Sequence, residues 1–506
     1  MLAKFVIVWY SMIYINILGA RSMIPDSIKQ FRPKGTEIQE KSGHYYVHKV
    51  KGYYDKDTKT SKRKTQGCIG QIFKDIGFVP NDKIPDSRED CAKEYGATRI
   101  IMETSREMFE ILRKYFPSEF IRIYTLAILK LLNNSSQKDI DELYTRSAIS
   151  SLLPEVHLSK NTVSTFLSQL SLSRKSMIQF IQEYTDYEGD SVILDGTSFL
   201  SSSNENPYTK KGYTPGHRNE KQIRLVYAFN KSSNIPFYFR VFPGNISDKV
   251  TFEACVEELG KKNCTVLLDK GFYSKNNIDF ILKASLDFII PLQKNTTDVD
   301  ETDKDFSAYE SKGIDFFSYH KRIIFHKEHV SSKHAGCNVH IFFDNERRKD
   351  LIENYYFQNQ DENGNLPENL QAAVYEDTKL FGVTFFLTNI GNAPELIYKD
   401  YKTRWVIEEM FDTHKNTLGF KMNYETRLEV QEGWAFIEFL SLLMYYKINN
   451  LLSEKDLLKS YSVKDVLFCA SSIIQAKTNG TWRVYNMTGK LKNLFETLGV
   501  TVAPIP

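Results

Sequence analysis

Apolar and polar residues alternate with a period of two in SGHYYVHKVKGYYDKDTKTSKRKTQGCIGQI, break at DKDTKTSKRK and then resume. That pattern predicts a β-hairpin with a basic tip. After Pro85 the spacing becomes helical, in DCAKEYGATRIIMETSREMFEILRKYF and again in EFIRIYTLAILKLL. Ser159 is placed to cap KNTVSTFLSQL, and a second amphipathic helix follows. With Lys160, Asn161 and Thr165 on one side and Val163 and Leu167 on the other, this short helix has the shape of a helix-turn-helix recognition helix. An ordinary bundle helix has the same pattern.

At Asp190 the rhythm returns to strands. SVILDGTSFL, KQIRLVYAFN and IPFYFRVFPGN read as three strands, KVTFEACVEELGKK as a helix, CTVLLDKGFYS as a strand, NNIDFILKAS as a helix and LDFIIPL as a strand. Strands first, then alternating helix and strand, indicate a mixed α/β (α+β) sheet. VILD and VLLD are alike: three apolar residues, an aspartate, then a glycine-containing turn. An aspartate after a strand commonly makes a turn. The ends of strands in such sheets are also where sites form, which makes Asp195 and Asp269 candidates.

YKTRWVIEEMFDTHK (401–415) reads as one amphipathic helix. At about 100° per residue, Tyr401, Arg404, Glu408 and Lys415 fall within a stripe roughly 60° wide, opposite the apolar Val406, Ile407 and Met410. Glu409 points about 100° away from this ridge, Asp412 lies nearer to it, and Trp405 fits either a stacking or a core position. A solvated face with Glu/Lys pairs has the same pattern. Partners for Glu408 elsewhere in the chain decide between the two.

Length and composition frame these elements. The 506 residues exceed one compact core, and 42% apolar with 25% charged residues is the balance of a soluble globular protein. A net charge of +3 excludes a global basic field. Locally, Lys29 to Lys74 carries twelve Lys/Arg against four Asp/Glu, which suits phosphate contact or simple solubilisation. Cys68, Cys91, Cys255, Cys264, Cys337 and Cys469 are scattered without a CxxC pair, as expected of reduced thiols. The apolar start MLAKFVIVWYSMIYINILGARS resembles a signal peptide, but Ser11, Tyr14 and Asn16 interrupt it as a membrane span. We favour Met23 as the start, with residues 1–22 as translated upstream sequence; a signal peptide and a buried strand are the other readings.

If Asp195, Asp269 and Glu408 meet, three carboxylates need counter-charge. Divalent cations with oxygen ligands provide it, and two Mg²⁺ (or Mn²⁺) ions roughly 4 Å apart would serve phosphodiester cleavage. Arg404 and Lys415 would hold a nearby phosphate.

These residues resemble the DDE transposases of bacterial insertion sequences, in the branch marked by Y-x2-R-x3-E-x6-K, here Tyr401, Arg404, Glu408 and Lys415. FPGNISDKVTF, FGVTFFLTNIGNAPELIYKDYKTRW and KGTEIQEKSGHYYVHKV also look like that branch, so the resemblance runs from about Lys34 to Leu452. It implies a ribonuclease-H-like catalytic domain at 190–293 and 390–452, split by a β-rich insertion at 294–389. Before it come the N-terminal β-hairpin region at 23–85 and a helical DNA-binding region at 86–189; after it comes a C-terminal region at 453–506. It further implies metal ligation and catalysis by Asp195, Asp269 and Glu408, and a grip by Tyr401, Arg404 and Lys415 on the 5′-phosphate side of the cut. The expected partner is double-stranded DNA, both transposon ends and target, bound as a homodimer in the cytoplasm with no membrane role. The activity implied is cleavage at terminal inverted repeats followed by strand transfer. The alternatives are a ribonuclease-H-like nuclease that does not join strands, and a transposase-derived DNA-binding protein that has lost catalysis.

Two further groups stand out. FHKEHVSSKHAGCNVH holds His326, His329, His334, Cys337 and His340, but the spacing fits no standard zinc finger and the flanks read as strands. His217 and Arg218 follow a Pro-Gly turn after the first catalytic strand and suit either DNA contact or plain exposure.

Overall fold

The structure is a computed structural model. It describes residues 24–502 apart from 42, 56–58, 75–76, 82–91, 134–138, 155, 186–190, 213–218, 261–263, 301, 307–313, 361–373, 375–377, 420–421, 424 and 479–480. The N-terminal segment 1–22, Met23, Cys91, His217 and Arg218 therefore lie outside the described residues. The chain divides into two compact units, Met1–Cys91 and Ala92–Pro506.

The first unit holds β1 (Thr36–Lys41), β2 (His44–Asp55), β3 (Thr60–Phe73) and β4 (Gly77–Pro80) in one antiparallel sheet, in that order. Ile28, Val47 and Ile72 form its small core. The predicted hairpin is β2 and β3. Its basic residues are not confined to a loop, however: β3 begins at Thr60, so Lys62, Arg63 and Lys64 are strand residues paired with Tyr53, Gly52 and Lys51. Beyond the core the arm is exposed on both faces, with Tyr53 and Tyr54 open to solvent. Cross-strand pairing, with the Lys62–Asp55 ion pair, keeps this polar stretch extended.

The second unit begins with β5 (Lys93–Glu94) and the helices α1 (Gly96–Thr104), α2 (Arg106–Tyr115), α3 (Phe120–Leu132), α4 (Ile140–Arg146), α5 (Lys160–Ser171) and α6 (Arg174–Tyr184). Ser159 caps α5 as its sequence predicts, its hydroxyl accepting the Thr162 N–H. Val163 and Leu167 of α5 are buried, while Lys160, Asn161 and Thr165 face solvent.

The central sheet follows. Its first part is β6 (Ser191–Ser201), β7 (Lys210–Lys211), β8 (Lys221–Asn230), β9 (Ile235–Pro243), α7 (Asp248–Leu259), β10 (Thr265–Leu268), α8 (Lys275–Lys283) and β11 (Asp287–Pro291). Then come β12 (Phe316–Tyr319), β13 (Arg322–Val330), β14 (Asn338–Asp344), α9 (Asn345–Asn359), β15 (Val383–Thr388), α10 (Pro394–Lys402) and α11 (Trp405–Asp412). Strand β6 lies centrally, antiparallel to β8 and parallel to β10, with β9 beyond β8 and β11 beyond β10. Strands β12 to β14 are not a separate body: β15 pairs with both β11 and β14, so they prolong the same sheet.

Alternation along β6 explains the two layers. Val192 and Leu194 join a core with Phe252 of α7 and Ile278 of α8, while Ile193 joins the core on the other face. That other face is covered by α12 (Leu428–Glu454), after the short β16 (Met422–Asn423). Helices α5 and α12 approach so closely that a Cβ on Gly433 would sit 2.2 Å from the Leu167 carbonyl oxygen, which is why a glycine stands there. The chain ends with α13 (Val463–Ser471), β17 (Ile474–Thr478), β18 (Thr481–Tyr485) and α14 (Gly489–Leu498). Strand β17 pairs with β5, returning the C-terminal region to the start of the helical one. Among the described residues no helix is long and apolar enough to cross a membrane.

Candidate active site

Strands β6 and β10 run parallel with Leu194 opposite Leu268. The next residue on each is an aspartate, so Asp195 and Asp269 emerge side by side. Asp269 sits where β10 ends. Asp195 does not end its strand, as the sequence pattern suggested; β6 continues to Ser201 and Asp195 pairs with Tyr227 of β8. Asp195 Oδ1 accepts the Gly196 N–H at 2.7 Å.

The segment 401–415 departs from the single helix expected. Helix α10 stops at Lys402, α11 starts at Trp405, and residues Thr413–Thr417 form a π turn. The break follows from local bonding: the Thr403 hydroxyl donates to the Asp400 carbonyl, and the Arg404 N–H bonds back to Tyr401. Thr403 and Arg404 keep right-handed helical dihedrals, so the segment tightens by one turn there without reversing. Arg404, at the N-cap of α11, reaches across to the sheet.

Its guanidinium joins the three acids. Nη1 donates to Asp195 Oδ2 at 2.6 Å, Nη2 donates to Glu408 Oε1 at 2.6 Å, and Nη2 lies 3.8 Å from Asp269 Oδ1. The side chains of Asp195 and Arg404 are each only 15% exposed, whereas Glu408 is 61% exposed. Their ligand atoms are not all within 4.8 Å of one another, so the acids converge on one cation without closing into a compact cage.

Of the remaining signature residues, Tyr401 stays at Arg404, in side-chain hydrogen-bonding contact with it, and Lys415 lies near Arg224. Tyr401 packs its ring on Phe386 at 4.4 Å, and burial pushes its hydroxyl pKa up, so it stays protonated. Lys415, carried aside by the π turn, holds its ammonium over the Phe199 ring at 5.0 Å. Burial lowers its pKa, and the nearby Arg224 lowers it further. Trp405 is 54% exposed, Glu409 faces solvent, and Asp412 accepts a hydrogen bond from Asn416.

A fourth acid, which the sequence reading passed over, lies beside this group. Asp248 begins α7 inside the PGNISD segment and pairs with Arg224. Its carboxylate abuts Gly196 and Gly271: a Cβ on either glycine would come within 3.0 Å of it. Burial raises the Asp248 pKa, Arg224 opposes this, and Asp269 adds to it. The only signal was an aspartate after an Asn-containing turn, which is also the sequence of a plain helix start.

Burial, opposed by Arg404 and reinforced by Asp269, raises the Asp195 pKa from 3.8 to about 6. The folded protein therefore binds the Asp195 proton more tightly than the unfolded chain, and ionising Asp195 costs folding stability. The cost is absent below pH 4, grows between pH 4 and 6, and is complete above that, at about 3 kcal/mol. In EDTA, Asp195→Asn should raise the unfolding free energy by ~2–3 kcal/mol at pH 8 and by almost nothing at pH 4. Urea melts across that range read this directly; a gain that does not depend on pH would contradict the assigned cause.

A family model described as "Transposase DDE domain" matches residues 187–444, half of the chain, and the matched span contains all the acids and signature residues above. The chain belongs to the transposase DDE domain family. As a DDE transposase it is an enzyme of DNA transposition. No match was found among curated protein sequences. Among solved structures, this DDE transposase is similar to the piggyBac transposase in a synaptic complex with hairpin DNA, at 10% identity over 74% of this chain and 77% of that one, TM-score 0.39. It is also similar to the Mos1 transposase in a paired-end complex with the left transposon end, at 13% identity over 31% of this chain and 58% of that one, TM-score 0.15.

The five-residue cluster in 326–340 does not meet at one point. Cys337 is in the core, His334 lies beside Tyr273, His329 is half-buried, and only His326 and His340 touch. None of the five described cysteines is in a disulfide.

Proposed function

We propose that this transposase belongs to the Tyr-Arg-Glu-Lys branch, binds the terminal inverted repeats of an insertion sequence as a homodimer, cuts a strand at each end and joins the freed 3′-hydroxyl to target DNA. The observation that carries this reading is the single guanidinium of Arg404 contacting Asp195, Asp269 and Glu408, residues drawn from two strands and a helix. The strand order β9-β8-β6-β10-β11, three antiparallel then two parallel, supports a ribonuclease-H-like core.

Three carboxylates facing one cation form an all-oxygen donor set, which fits hard divalent ions such as Mg²⁺ or Mn²⁺. Asp195, Asp269 and Glu408 would hold two of them. When bound, such ions activate the attacking oxygen and stabilise the leaving one. The chain's own residues do the rest. Asp195 and Asp269 are fixed by strand pairing, and Glu408 is brought to them by Arg404. Asp248, paired with Arg224, buttresses the turns behind both aspartates. Tyr401 anchors Arg404, whose guanidinium exchanges carboxylate for phosphate contact when DNA is present. Lys415 and Arg224 add positive charge on the far side for the 5′-phosphate strand.

In this reading the hairpin arm of β2 and β3, with Lys51, Lys62, Arg63 and Lys64 exposed, lies along the DNA backbone, and the helical region 86–189 helps to hold the transposon end. The test uses a plasmid carrying the inverted repeats that flank the reading frame, incubated with the full chain and Mg²⁺. Nicks at the repeat ends and joined products are expected, with both lost in EDTA. Pre-cut ends that are never joined would favour the nuclease alternative and overturn strand transfer.

A further inference from the structure

We propose that His326, Glu328 and His340 form a binding site for one transition-metal ion of the zinc class, separate from the catalytic acids. Strands β13 and β14 pair antiparallel with Glu328 opposite His340 and His326 opposite Phe342. Residues two apart on a strand share a face, and so do directly opposed residues. All three side chains therefore project from one face of the hairpin as adjacent neighbours. One nitrogen of each imidazole and one carboxylate oxygen lie within 4.8 Å of one another, the only three-ligand group of this kind among the described residues.

The distances suit a metal. His326 Nε2 lies 3.0 Å from His340 Nδ1, and Glu328 Oε1 lies 3.8 Å from the other nitrogen of that ring, Nε2; an ion held by one His340 nitrogen meets the other two ligands within the 4.8 Å span. Ligands about 2.0–2.1 Å from a tetrahedral zinc ion stand about 3.3 Å apart. The donors also fit. Two imidazoles and one carboxylate favour zinc over magnesium, which seeks oxygen alone.

Packing alone leaves this group unsatisfied. His340 is 2% exposed, and its buried Nε2 has no hydrogen-bond partner among the described residues. Hydrogen bonding between the two rings uses one nitrogen of each, so the second nitrogen of His340 still lacks one. A cation shared with Glu328 removes that defect. Glu328 is half-exposed, giving an ion a route in, and its Oε1 accepts the Asn338 side-chain N–H at 2.5 Å, an orienting contact of the kind that supports metal ligands. Both rings pack on Phe342, which meets Tyr398 of α10 at a ring distance of 5.0 Å, so the ion would brace the sheet extension beside the helix that carries Tyr401.

The test is equilibrium dialysis of the full chain, stripped with EDTA, against ZnCl₂, with bound metal counted and with Co²⁺ absorption as the probe of geometry. One equivalent of zinc is expected, together with a tetrahedral cobalt spectrum and a higher melting temperature with zinc. Glu328→Gln, at an exposed position that cannot disturb the core, should weaken binding by about 10-fold or more. His340→Gln should weaken it by at least about 100-fold, and His329→Ala should leave it unchanged. The triple variant Asp195→Asn, Asp269→Asn, Glu408→Gln should still bind one zinc, so the result does not depend on the transposition chemistry. No stoichiometric uptake by the parent, or uptake unchanged by Glu328→Gln and His340→Gln with circular dichroism intact, would overturn the site.

Discussion

Glu408→Ala should leave the affinity for transposon-end DNA unchanged and slow strand cleavage on the order of 10³-fold or more. The side chain is 61% exposed and bonds only Arg404 among the contacts described, so its removal takes little from the fold. What disappears is the third carboxylate of the set, and with it the means of holding charge opposite the two strand aspartates. Glu409→Ala is the matched control: it removes an acid one residue along that faces solvent, and the cleavage rate should stay within about twofold. Gel-shift titrations paired with single-turnover nicking measure both quantities. If the Glu408 variant cut as fast as its parent, the assignment of that residue would be wrong.

Arg404→Ala should be the most destabilising single change at the site, by about 3 kcal/mol at pH 8. Asp195 would then be a buried carboxylate with no cation beside it, next to Asp269. The loss should shrink at pH 5, because Asp195 can then take a proton and cease to need a partner. A second substitution isolates the cause: Asp195→Asn placed in the Arg404→Ala background should recover most of the lost stability, a coupling that two independent sites would not show. Cleavage by the Arg404 variant should fall as well, in proportion to how far the three acids drift apart. Thermal melts of the four proteins at both pH values decide the matter; additive effects would remove Arg404 from its central role.

Much of the site was legible in order but not in form. VILD and VLLD marked Asp195 and Asp269 because a buried strand followed by an acid has a plain signature. Their adjacency depends on β6 and β10 pairing in parallel with Leu194 opposite Leu268, and no residue pattern states a register between strands 74 positions apart. The helix at 401–415 shows the opposite failure. Its spacing agreed with one continuous helix, yet the chain tightens at Thr403 and ends in a π turn at 413–417. Arg404 and Glu408 remain one turn apart and in contact, and Tyr401 stays beside Arg404, while Lys415 lies over Phe199 near Arg224. Asp248 was invisible because helix starts commonly carry an aspartate.

The amino-acid sequence by itself determined the strands and helices with strong periodicity, the cap at Ser159, the hairpin at 44–73 and the identity of the acids and signature residues. These follow from local forces, alternation, capping and spacing, which act within a few residues. The tertiary structure decided which acids meet, that Arg404 bridges them, that β12 to β14 extend the central sheet, and that His326, Glu328 and His340 share a face. Those outcomes rest on pairing and burial between distant segments, where register and neighbours are set by how the whole core packs.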